Sequence, residues 1–294
     1  MHSTLFIAVM AGLGGMLGWG GADFFAKKTV DHVGPIKSLV WAHSCGTALF
    51  VVLAIGQLLL KRSVPLPHGV AWLGLLGFGI LQMLVYWLVY KGFEKGQLAV
   101  LNPVFASFTG IVALVAIIGF GEHANARLLI ALAVLFAGII LLNVDLEGLK
   151  SKQLNLVPGL KEVGAATVLA AIWTLGWDKF VSGQNSFSYA LFMYAFMTLA
   201  AFVLAYIMKE KLSSVPSRVR PYLIFMGAGE TIAYLAISWG YSSTNLTDIV
   251  ALVSGAFSVP TVILAYLFLK ERVTKLQTAA IAVIIVAIGI VSLG

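Results

Sequence analysis

Residues 227–234 read "GAGETIAY", and they place one carboxylate, Glu230, inside a run from "PYLIFM" to "LAISWGY" that is otherwise almost free of charge. If that run crosses a membrane, the acid is expensive. Insertion scales put a charged Asp, Lys or Arg at mid-bilayer at about 2.5–3.5 kcal/mol, so such residues face a cavity or a partner. Two uses repay the cost: anionic contact with a cationic or zwitterionic solute, or carriage of a proton. The plain alternative is a helix–helix hydrogen bond that locks packing, for which a carboxylate is a costly choice in lipid.

The acid has a neutral counterpart. "GILQMLVYWLVYKG" (79–92) aligns without gaps on "GAGETIAYLAISWG" (227–240), so that Gly79 meets Gly227, Gln82 meets Glu230, Tyr86 meets Tyr234 and Gly92 meets Gly240. Glu230 lies about nine residues into its helix, roughly 13 Å along at 1.5 Å per residue, close to mid-depth. The tyrosines follow one turn on, at i+4, and share the faces of Gln82 and Glu230. Gln82, Tyr86, Glu230 and Tyr234 are therefore the expected centre of a substrate site.

Other polar and aromatic residues gather around it. "GWGGADFF" (18–25) matches "IWTLGWDKF" (172–180) loosely, pairing Trp19 with Trp173 and setting Asp23 against Asp178 or Trp177. Trp19, Trp173 and Trp177 are either interfacial anchors, the usual role of tryptophan near a membrane boundary, or an aromatic wall that attracts a cation. Asp23 and Asp178, near their helix ends, are gating or proton-carrying candidates or wetted termini. His43 reads as a packing hydrogen-bonder or a proton relay and roughly matches Tyr194. Asn102 and Asp248 contact substrate or cap helix starts, the cap being favoured for Asp248. Glu122 and Glu271 read as loop anchors beside helix ends. The glycines between Gly12 and Gly21 read as close-packing and hinge elements.

The elements that must position these residues are membrane helices. The chain is 60% hydrophobic and 11% charged, against roughly 25% charged in soluble domains. Apolar stretches near the 20 residues needed to cross a bilayer run at 4–24, 36–60, 69–90, 98–120, 127–145, 162–180, 188–208, 221–241, 246–269 and 275–293. The first reads as a membrane helix and not as a cleaved signal, since no Lys or Arg precedes it. A single cysteine, Cys45, excludes an internal disulfide or a multi-cysteine metal site. The chain divides into repeats at 1–148 and 149–294. Because each holds an odd number of spans, the second enters the membrane inverted. Lys and Arg number 3, 2, 3, 4 and 3 after spans 1, 3, 5, 7 and 9, against 2, 1, 1 and 0 after spans 2, 4, 6 and 8. The bias inverts with the repeat, and the positive-inside rule puts both termini outside.

With two five-span halves, "LGWGGADFFAKK" at the end of the first helix and "SVPTVILAYLFLKERVTKLQTAAIAVIIVAIGIVSL" across the last two, the chain resembles the drug/metabolite transporter superfamily. The ten-helix EamA-type branch is the nearest likeness, over essentially the whole length. "LKER…Q" is its most specific element, and "GEHANAR" a degenerate copy. Pro103 departs from the pattern by lying earlier in its helix than Pro260, so the two helix breaks need not be symmetric. The resemblance implies an all-α protein with a central cavity walled by the first, third and fourth helices of each half. It implies alternating access and small polar or amphipathic substrates, such as amino acids, drugs, sugars or organic cations, often exported.

A secondary transporter in the cell membrane is the leading expectation, as a monomer or weak homodimer, with protons a candidate coupling ion. No cofactor, metal or nucleic acid is expected; the net charge of +7 is accounted for by basic loops. The alternatives are an enzyme embedded in the membrane acting on a lipid-linked substrate and an uncoupled facilitator of sugars or nucleosides. Against the enzyme, the chain has no HExxH or GxSxG.

Overall fold

The structure, a computed structural model, describes residues 2–120, 126, 129–130, 133–134, 137–138, 158–213, 215–271 and 275–292. The expected fifth span at 127–145 lies largely outside them, as does Glu122. Every regular element among them is a helix: α1 (His2–Val33), α2 (Pro35–Leu59), α3 (Ala71–Lys95), α4 (Leu98–Ala106), α5 (Phe108–Phe120), α6 (Leu160–Val181), α7 (Ser186–Ile207), α8 (Arg220–Ser243), α9 (Thr247–Gly255), α10 (Ser258–Leu264), a π-helical turn over Ala265–Leu269, and α11 (Lys275–Ser292).

Local chemistry sets the boundaries. The first helix continues past 24 because nothing in "AKKTVDHV" breaks a helix. It stops at Gly34, whose φ of 80° suits a residue without Cβ, and Pro35 starts α2 at once. The stretches at 98–120 and 246–269 are each broken. Ser107 interrupts the first, its N–H shared between Pro103 O and Val104 O at 3.2 Å. Ala256 and Phe257 interrupt the second, where Phe257 N bonds Ser254 O at 3.0 Å in a tightened turn. Pro103 precedes its break and Pro260 follows its own, yet α4 and α9 are both 9 residues long. The breaks thus match although the prolines do not. α1 comes close at the second break: a Cβ on Gly20 would lie 2.7 Å from Phe257 O.

Helices of one half pack on those of the other. α1 runs antiparallel to α8, with Phe25 stacked on Phe225 (5.2 Å) at one end, Gly18 against Gly229 in the middle and Gly14 against Ala236 beyond. α3 and α6 pair the same way, through Gly92 and Val163 at one end and Gly74 and Phe180 at the other. In lipid there is no hydrophobic drive between helices, so close backbone approach through small residues supplies the packing. A Cβ on Gly18 would lie 2.5 Å from Gly229 O, and one on Gly229 would lie 2.6 Å from Gly18 O. The aligned glycines behave alike: Gly79 seats α3 on α7 beside Met193 and Met197, and Gly227 seats α8 on α2 beside Ala42 and Gly46.

Six described helical stretches are long and apolar enough to cross a bilayer: Thr4–Val33, Pro35–Leu59, Ala71–Lys95, Ser186–Ile207, Arg220–Ser243 and Thr247–Leu269. Large apolar side chains such as Leu59, Val168, Tyr206 and Ile224 point outward uncovered. The protein is a multi-pass membrane protein.

Candidate functional site

Glu230 has no exposed surface. Its carboxylate is gripped from three helices. Tyr90 of α3 donates to Oε1 at 2.8 Å, Tyr194 of α7 donates to Oε2 at 2.5 Å, and Nε2 of His43 on α2 lies 3.0 Å from Oε2. The approach of α8 to α2 at Gly227 brings Glu230, one turn on, to His43. A Cβ on Gly227 would meet Ala42 O at 2.5 Å and hold the helices apart.

Beside this cage, Gln82 Nε2 donates to the Tyr234 hydroxyl at 2.7 Å, and Tyr234 donates onward to Tyr86 at 3.3 Å. All three are buried. Tyr234 also meets Trp19 and Trp173 edge-on, with ring centroids at 5.9 and 5.8 Å.

A small cavity of about 20 Å³, room for roughly one water, opens next to this chain. Trp19 and Asp23 of α1, Gln82 and Tyr86 of α3, and Trp173 and Thr174 of α6 line it. Phe105, Phe108 and Phe257, which flank the two helix breaks, close it. Asn102 stands behind Asp23 and donates to Oδ2 at 2.6 Å. The residues singled out by sequence therefore separate into two layers. Trp19, Asp23, Gln82, Tyr86 and Trp173 reach the cavity wall. Glu230, Tyr234 and Asn102 form the hydrogen-bonded layer behind it, with the His43 ring against Glu230, because tyrosines and the histidine already surround the acid.

The remaining candidates lie apart. Trp177 is fully buried, stacked on Trp173 at 5.3 Å, and donates to Ser238 Oγ at 3.2 Å. Asp178 accepts from Thr247 Oγ1 at 2.8 Å and lies 3.2 Å from Lys179 Nζ. Each half thus ties an acid of its first helix to its fourth, Asp23 to Asn102 and Asp178 to Thr247. Asp248 sits in the first turn of α9, its Oδ1 accepting from Ile249 N at 2.8 Å. Glu271 anchors a helix start: its Oε2 accepts from Ala99 N, in the first turn of α4, at 2.8 Å.

Tyr90 and the two phenylalanines at the first break were not foreseen. Tyr90 carried a usable signal, since it continues the Gln82–Tyr86 face at i+4. Tyr194 roughly matches His43 in the repeat, but the approach of both to Glu230 depends on helix rotations that no spacing encodes.

The model of the family described as "EamA-like transporter family" matches residues 6–144 and 163–293. No curated protein matches. Among solved structures, one titled only "Crystal structure of protein" shares the fold, with a TM-score of 0.74 over 97% of this chain and 96% of that one at 17% identity.

Proposed function

Since the chain belongs to the EamA-like transporter family, we propose that it is a secondary transporter of small polar or amphipathic metabolites, such as amino acids or organic cations. In this reading it works by alternating access, as an exporter coupled to protons. Ten spans form two inverted five-helix repeats, 1–148 and 149–294, in the cell membrane. Both termini face outward by the lysine and arginine bias. The protein acts as a monomer or weak homodimer, without cofactor.

The observation that carries the reading is the burial of Glu230, with no exposed surface, inside a cage of Tyr90, Tyr194 and His43. A carboxylate so placed within an apolar helix marks an ion or substrate path. Glu230 is the proton carrier. Gln82, Tyr86, Tyr234, Trp19 and Trp173 present the substrate surface, with Trp177 and Asn102 supporting it. His43 relays to Glu230, and Asp23, Asp178 and Asp248 sit at the gates. The antiparallel packing of α1 on α8 and of α3 on α6 supports inversion of the repeats.

Purified protein in liposomes tests the proposal. Counterflow of a loaded metabolite, accelerated by an imposed pH gradient, is the expected result. Flux indifferent to the gradient identifies an uncoupled facilitator, and turnover without vesicles identifies an enzyme.

A further inference from the structure

We propose that the small cavity is a binding site for one water molecule, held by Trp19 and Asp23 of α1 and by Gln82 and Tyr86 of α3. The water ties the acid of the first helix to the tyrosines through which the two halves meet.

Size and chemistry both select water. The cavity, at about 20 Å³, exceeds the roughly 10–15 Å³ that one water needs and is far below the roughly 300 Å³ at which small-molecule sites begin. Its wall carries donors and acceptors that the protein leaves unused. Trp19 Nε1 and Gln82 Oε1 are buried and have no hydrogen-bond partner among the described residues. They do not bond each other either, although both side chains line the same small space. Asp23 spends Oδ2 on Asn102 at 2.6 Å, which leaves Oδ1. Tyr86 accepts from Tyr234 at 3.3 Å and keeps its own O–H to donate. An unpaired buried polar group is costly, and a cavity with about two to four polar partners holds water where an apolar one stays dry.

One water answers all four groups. Its oxygen accepts from the Trp19 indole and the Tyr86 hydroxyl, and its two hydrogens go to Asp23 Oδ1 and Gln82 Oε1. Thr174 of α6 adds a spare hydroxyl to the wall. A metal ion suits the site less well, because hard cations bind through oxygen and the indole N–H would stay unpaired. Gln82 and Tyr86 both bond Tyr234, so the water extends that network from the second half of the chain to Asp23. Displacing a well-ordered water by a group that cannot reproduce its bonds loses affinity. A solute that reaches Asp23 must therefore replace these bonds, a consequence that, unlike the site itself, rests on the transporter reading.

A density map of the purified protein, at a resolution that shows ordered water, tests the site with water itself as the probe. One peak within hydrogen-bond distance of Trp19 Nε1, Asp23 Oδ1 and Gln82 Oε1 is expected. An empty cavity in a map that resolves other buried waters overturns the proposal. So does a peak surrounded only by oxygen atoms, or a melting temperature that rises when sodium replaces potassium at equal concentration, since either identifies a metal ion. Trp19→Phe and Gln82→Leu each remove one partner of the water. Because the two act through one shared molecule, the double variant is expected to lose less in melting temperature than the single losses added together; additive losses overturn the proposal. Should either variant not fold, the map of the wild-type protein decides. Flux in liposomes enters none of these measurements, so failure of the water site and failure of the transporter reading are distinguishable.

Discussion

Tyr86 and Tyr234, which occupy equivalent positions in the two halves, meet hydroxyl to hydroxyl at 3.3 Å. A residue touches its own repeat partner only at the axis that relates the copies, so this contact marks the centre of the molecule. The symmetry ends there. Gln82 turns to Tyr234, while its counterpart Glu230 turns to Tyr90, Tyr194 and His43. A single change from amide to acid leaves only one of the two equivalent positions with a carboxyl group.

Tyr234→Phe removes both contacts at the axis and leaves the buried Gln82 N–H without an acceptor. A stranded buried donor costs about 1–3 kcal/mol, whereas replacing both partners by apolar groups is nearly neutral. Thermal melting in detergent should therefore show a clear loss for Tyr234→Phe and partial recovery when Gln82→Leu is added. Additive losses would show that the pair is not coupled.

Glu230→Gln makes the two halves match at this position. The amide still accepts from one tyrosine, so the fold persists and the melting temperature stays within a few degrees. Flux driven by a pH gradient in liposomes is expected to lose its pH dependence. Wild-type flux with a wild-type pH response would remove Glu230 from the mechanism.

Gly227→Ala pushes a methyl to within 2.5 Å of Ala42 O and 2.7 Å of Gly46 N, backbone atoms that cannot turn aside. Overpacking of this kind costs typically 1–3 kcal/mol, and it draws Glu230 away from His43. Gly77→Ala has nothing within 4 Å of the added methyl and should gain up to about 1 kcal/mol from helix propensity. Opposite shifts in melting temperature are the expected outcome; equal shifts would contradict the packing described.

Glu271→Ala uncovers the start of α4 by removing the acceptor for Ala99 N. Loss of a helix cap costs about 0.5–2 kcal/mol. Glu271→Gln, which keeps an acceptor but not the charge favoured at a helix N-terminus, should cost less, about 0.3–1 kcal/mol. Melting curves of the two variants should rank in that order.

How much of this was legible in the sequence differs from residue to residue. The Gln82, Tyr86, Glu230 and Tyr234 cluster was legible because the repeat alignment and the i+4 spacing both point to it. The contact of α1 with α8 was less so. Glycines announce that a helix packs closely, but not that Gly18 meets Gly229. Position relative to the cavity was the hardest to read. Glu230 and Asp23 are both acids in apolar helices, and which of them faces the open space depends on helix rotation and on tyrosines that claim one of them first. The break at Ser107 matches the one near Phe257 even though the prolines are displaced, because backbone interrupted by tight turns on either side of a shared cavity answers to packing as much as to proline.

The seam between Gly18 and Gly229 has a consequence for biosynthesis. The ribosome delivers the partner of the first helix only about two hundred residues after that helix has emerged, which at 5–20 residues per second means roughly 10–40 s. Through that interval a glycine-lined face has no protein against it. The insertion machinery or the surrounding lipid must shelter it until the second copy arrives, and a ribosome that stalls midway leaves behind half a protein with its adhesive side open to its neighbours.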